Sequence, residues 1–157
     1  MTIPKKAIPV VTVLAALAGC FRPQQATHSL MVCTQMTAEQ SNLVGNTVIG
    51  TLSKPGDILY VGHREIDVSE VDPDVNLFPP DFLAKVRRDG ETQIVMAALS
   101  LKRRGYMVNL FGAETKVRAE LLAIRLREAT GNSYVFIFPS NGVNSDLCET
   151  MQEQATS

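Results

Sequence analysis

No run of this chain reaches the roughly 20 consecutive apolar residues that a membrane-spanning helix needs; the closest, 7–16, is short and broken by Pro9. Charge of one sign is also missing. Lys and Arg number 15 against 16 Asp and Glu, for a formal net charge of -1, and nothing in that balance points to nucleic acid as a partner. Histidine is scarce, with only His28 and His63, and there is no HExxH, no Cys-His cluster and no GxSxG. Metalloprotease and serine-hydrolase chemistry therefore lack their residues. Gly45 and Gly50 are isolated, so no glycine-rich loop is available to cradle a phosphate. Asp72-x-Asp74-x-Asn76 imitates the opening of a calcium loop. Leu77 then occupies the position that requires Gly, and Leu83 the position of the bidentate Glu, which makes an acidic surface loop the better reading. His63 near Glu65 and Asp67 reads as a solvated loop rather than a catalytic trio. The expectation is a non-enzymatic protein with no metal and no cofactor.

What is present lies first at the N-terminus. Lys5 and Lys6 precede the apolar stretch 7–16, and Leu17-Ala18-Gly19-Cys20 closes it. A basic region, an apolar region and small residues before a cut are the parts of a secretory signal. The Cys directly after the cut resembles the lipid acceptor of bacterial lipoproteins. That resemblance implies a signal peptide over 1–19, a mature chain beginning at Cys20 with palmitate or similar acyl chains, and a domain held at a membrane. Phe21 follows Cys20 where Asp would mark retention at the inner membrane in enterobacteria, so the resemblance points to the periplasmic face of the outer membrane. An uncleaved anchor and a buried N-terminal strand or helix are the competing readings of the segment. Once Cys20 carries lipid, Cys33 and Cys148 remain as an even pair. Either they are bridged, which would restrict the unfolded chain by about 4 to 5 kcal/mol on loop-entropy grounds, or they are thiols in tail segments that never meet.

Beyond the signal, 20–41 is Gln-rich and suits a tether, although Leu30-Met31-Val32-Cys33 is too apolar for an inert linker. A folded domain is expected over 42–142 and a tail over 143–157. Strands are expected over 47–52 and 58–61, joined by the turn Lys54-Pro55-Gly56-Asp57, with 64–68 extending the second. A proline-rich loop covers 72–80. A strand over 82–87 ends at Asp89-Gly90, and a helix is expected over 91–104 from the spacing of Ile94, Val95, Ala98, Leu99 and Leu101. Lys102-Arg103-Arg104 would then complement its dipole, with Gly105 closing it. A strand over 106–111 follows. The segment 116–128 favours helix by composition, but its apolar residues scatter around a helical wheel, so a bulged strand is preferred. The last strand, 133–138, is apolar on both faces: Tyr134, Phe136 and Phe138 on one, Val135 and Ile137 on the other. It is a candidate partner face. The expected fold is α+β, one main amphipathic helix packed on a mostly antiparallel sheet of about five strands.

The stretch 82–111, with Asp89-Gly90, Ala98, Leu101 and Gly105-Tyr106-Met107-Val108, and with Thr130-Gly131 further on, resembles the TrbH lipoproteins of conjugative plasmid transfer, which also begin with a lipobox. The resemblance covers a quarter to a third of the chain. It implies a structural or assembly component of a type IV secretion or mating-pair apparatus, with envelope proteins as partners. A second possibility is a pilotin-like or inhibitor lipoprotein that binds an extended peptide of an envelope partner.

Overall fold

A computed structural model describes residues 26–100, 104–131, 134–139 and 146–149. The elements run β1 (His28–Cys33), α1 (Ala38–Leu52), β2 (Ile58–Val61), β3 (Arg64–Asp67), a 3-10 turn (Val68–Glu70), β4 (Leu83–Arg88), β5 (Glu91–Ala98), β6 (Gly105–Leu110), α2 (Thr115–Thr130) and β7 (Val135–Pro139). The chain is α+β. Among the described residues the strands form one sheet in the order β3-β2-β4-β5-β6-β1-β7, with every neighbouring pair antiparallel. α1 and α2 lie side by side over one face of it. Seven strands and two long helices thus replace the expected five and one.

The departures have local causes. β5 is a strand where a helix was expected over 91–104, because Asp89 and Gly90 both take left-handed φ, 50° and 79°. That is what a two-residue type I′ hairpin turn requires. The hairpin puts Ile94 and Met96 on the helix-covered face and Val95 and Ala97 on the other. With no helix there, Lys102-Arg103-Arg104 has no dipole to complement; Arg104 ends the β5–β6 connection and 101–103 lie outside the described residues.

The stretch expected as a strand over 47–52 is the second half of α1. Thr37 caps that helix by accepting from the Gln40 N–H, and Ser41, Val44, Gly45, Val48 and Leu52 recur at helical spacing on its buried side. Packing on that side outweighs the strand preference of Thr47-Val48-Ile49. α2 replaces the bulged strand expected over 116–128. Its apolar residues do not scatter. They form two stripes, one buried (Ala119, Leu122, Ala123, Leu126) and one exposed (Val117, Leu121, Ile124).

The tether expected over 20–41 is the largest correction. β1 is an interior strand, paired with β6 on one side and β7 on the other, and Leu30, Met31 and Val32 have no exposed surface. Both faces of an interior strand are buried, which is why this segment is so apolar. The close approach of β6 depends on Gly105, where a Cβ would lie 2.3 Å from the Val32 carbonyl oxygen. The tail expected over 143–157 also contributes, since Cys148 is fully buried.

Two polar devices tie the layers together. The loop between the 3-10 turn and β4 is clamped to α1 through Phe78. Asn42 Oδ1 accepts from the Phe78 N–H at 2.9 Å, and Ser41 Oγ donates to its carbonyl at 2.6 Å. The Phe78 ring fills the space left by the missing side chain of Gly45 and meets Phe82, which stacks on Tyr106. Beyond the end of α1, buried Asp57 accepts two 2.8 Å bonds from Arg88 of β4 and a third from the Lys54 N–H. Burial alone would push the Asp57 carboxyl up, but the Arg88 hydrogen bonds, the Lys54 N–H and the two positive charges together hold it below the ordinary carboxylate value.

Phe78→Ala should lower the unfolding free energy by about 3–5 kcal/mol in urea titration, whereas Leu83→Ala, at an exposed site, should change it by less than about 0.5 kcal/mol. The depressed Asp57 value means that its stabilisation is complete above about pH 4 and is lost as the pH falls through the folded-state value. Asp57→Asn should therefore cost about 1–3 kcal/mol at pH 7 and flatten the acid limb of the stability curve.

Candidate interaction surfaces

Alternation along the strands sends one set of side chains under the helices and the other set to the opposite face of the sheet. On that opposite face Met31 and Cys33 of β1 are buried, with Met107, Phe136, Phe138, Leu99 and Leu147 packed around them. The cover is the short turn 146–149, fastened by a disulfide between Cys33 and Cys148 across 115 positions of sequence. The alternative of two thiols that never meet is not the arrangement of the structure.

The five residues singled out as a partner face divide accordingly. Val135 is buried in the main core and Ile137 packs against it, both on the side of α2. Phe136 and Phe138 belong to the disulfide cluster, their ring centroids 6.4 Å apart. Tyr134 stands at the rim. The two-faced apolar character of β7 is thus met within the chain, by α2 on one side and the C-terminal turn on the other. What β7 leaves open among the described residues is its outer edge. Val135 and Ile137 turn their backbone groups away from β1, and Arg127 of α2 donates to the Val135 carbonyl at 2.6 Å.

Farther across the same face the sheet is uncovered. Tyr60, Leu83, Lys85 and Val95 line a shallow cleft of about 320 Å³, with the Lys85 ammonium 5.4 Å from the centre of the Tyr60 ring. A cation above an aromatic face of this kind is weakly stabilising at an exposed site.

The titratable groups considered for chemistry are not brought together. His63 sits at the exposed tip of the β2–β3 hairpin. The Asp67 carboxylate accepts from the N–H and hydroxyl of Ser69, bonds that hold it below its ordinary value. Asp72 accepts from the Asp74 N–H, closing a turn on itself instead of opening toward an ion. Glu65, Glu70 and Asp72 line a cleft of about 330 Å³ beside Arg64, without His63 or Asp67. Among the described residues no three His, Cys, Asp or Glu side chains are grouped to hold a metal. No helix among them is long and apolar enough to cross a membrane. Cys20 lies outside the described residues.

Compared with protein families, curated proteins and solved structures, the chain matches none.

The surface that sequence reasoning missed is the outward side of α2. Its signal was the i, i+4, i+7 spacing of Val117, Leu121 and Ile124, hidden because a second stripe of the same kind runs along the opposite side of the helix.

Replacing Cys33 and Cys148 together by Ser should lower stability by about 2–5 kcal/mol, the range for a disulfide closing so long a loop. Dithiothreitol should bring the wild-type chain to the same denaturation midpoint and leave the double variant unmoved.

Proposed function

We propose that the chain is a bacterial lipoprotein, acylated at Cys20, that acts as a structural or assembly subunit of an envelope complex. Leu17-Ala18-Gly19-Cys20 behind a basic and apolar leader carries this reading. The Cys33–Cys148 disulfide supports it, because such bonds persist in the oxidising periplasm and are rare in the cytosol. Phe21 after the lipid-bearing residue favours the periplasmic face of the outer membrane. The placement within a conjugative or type IV secretion apparatus rests on the resemblance to TrbH lipoproteins at Asp89-Gly90 and Gly105-Tyr106-Met107-Val108. In this reading the chain works by holding a rigid α+β domain at the membrane, with no reaction of its own and no group bound besides the lipid.

The open edge of β7 favours a second reading, a pilotin-like or inhibitor lipoprotein. An extended peptide from an envelope partner would add a strand beside Ile137 and, by displacing the Arg127 guanidinium from the Val135 carbonyl, beside Val135 as well, a common mode of recognition. Crosslinking in cells separates the two. A single partner peptide caught at β7 supports the second, and several channel components caught together support the first.

Cys20→Ala should abolish palmitate labelling and move a folded, disulfide-bonded protein from the membrane to the soluble periplasmic fraction. In cells that depend on this chain for mating, the same variant should fail to restore transfer. Retention of Cys20→Ala in membranes without other complex members would overturn the anchoring role. Undiminished transfer in the absence of the chain would overturn its place in conjugation.

A further inference from the structure

We propose that the exposed stripe of α2 rests on the phospholipid surface that anchors Cys20, so that the domain lies against the membrane on its helical side. The inference deepens the lipoprotein reading and depends on it.

The first ground is length. The Thr27 N–H donates to the Leu110 carbonyl at 3.2 Å. The Thr27 hydroxyl and His28 Nδ1, the latter at 2.7 Å, are both hydrogen-bonded to the hydroxyl of Thr115. The chain therefore enters the fold fastened to the first residue of α2. Between Cys20 and Thr27 there are seven residue steps, which span at most about 25 Å whatever their conformation. A tether of some 20 residues could stretch to about 65 Å; this one keeps Thr27 within about 25 Å of the lipid surface. α2 itself, Thr115–Thr130, is about 24 Å long at 1.5 Å per residue, and Ile124 lies only about 14 Å along it. The whole stripe is within reach of the surface to which Cys20 is bound.

The second ground is the chemistry of the helix. Val117, Leu121 and Ile124 are 63%, 43% and 52% exposed. At about 100° per residue they fall within an arc of about 60°, opposite the buried stripe. Lys116, Glu120 and Arg127 flank the arc on one side and Arg118 and Arg125 on the other, while Glu128, paired to Arg125 at 3.4 Å, lies within the arc one turn beyond Ile124. An apolar strip over the first three turns of a helix, edged by four cations against two carboxylates, suits a helix lying in a lipid interface with the strip among the upper acyl chains. The open sheet face around Leu83 offers apolar surface too, but nothing ties it to the lipid-bearing end of the chain.

The chain contains no tryptophan, so Leu121→Trp supplies a single reporter on α2 and Leu83→Trp a control on the sheet face. Both sites are exposed, and the disulfide and melting temperature should stay as in the wild type. Ile124→Trp serves as a second α2 position. Each acylated full-length protein is placed in vesicles of phosphatidylethanolamine and phosphatidylglycerol. Trp at 121 and at 124 should shift to shorter wavelength and lose about half its emission when brominated phospholipid is included; Trp at 83 should do neither. Three results would overturn the inference: quenching at 83 without 121, quenching at none of the three, or a blue shift at 121 without quenching and with a dimeric mass, which would assign α2 to a second copy. An acylated, vesicle-bound protein whose α2 is unquenched sinks this inference alone. An intact mass without acyl chains sinks it together with the lipoprotein reading.

Discussion

β1 is the constraint on which the rest of the architecture depends. It joins β6 to β7, so without it β7 would have no strand to pair with and α2 would cover an incomplete sheet. Its inward side chains, Leu30 and Val32, belong to the core beneath the helices, while Met31 and Cys33 belong to the smaller cluster on the other face. Gly105 lets β6 approach closely enough to hold it. β6 and β7 also touch both cores, through Met107 and through Phe136 and Phe138, but among the described residues β1 alone places fully buried side chains in each.

The two faces of the sheet are covered by different means. One carries a pair of helices whose buried stripes supply a core of ordinary kind, closed by the Phe78 clamp and the Asp57–Arg88 pair. On the other, among the described residues, a turn of the C-terminal segment lies over β1 and β7 and is fastened there by the disulfide. The face thus divides into a stapled half and an open half. The outward stripe of α2 adds a third surface that the described residues leave uncovered.

Much of the strand pattern was legible from the residues, and the reasons for the failures are specific. Period-two alternation identified β3, β4 and β7, short apolar runs identified β2 and β6, and the prolines marked the loop before β4. β5 was misread because Ile94, Val95, Ala98, Leu99 and Leu101 fit a helical count, although Asp89-Gly90 is the stronger signal and alternation begins directly after it. α2 was misread because two opposed stripes cancel on a wheel, so a helix with an apolar outer side is indistinguishable from no helix at all. β1 was hidden in a Gln-rich stretch, where four apolar residues cannot announce an interior strand without their partners 72 or more positions away. The even pair Cys33 and Cys148 could be counted in the sequence. Which of its two fates it met could not, since that depends on those same remote pairings.

The position of β1 also sets the order in which the protein can assemble. Chains are synthesised from their amino end, so Leu30 to Cys33 emerge long before the residues that will flank them. Pairing with β6 and β7 spans roughly the whole folded length, the kind of non-local contact that slows folding. Until synthesis is nearly finished, an apolar strand with two unsatisfied edges stands waiting. A chain built this way has reason to need a holding chaperone until β6 and β7 have both been made.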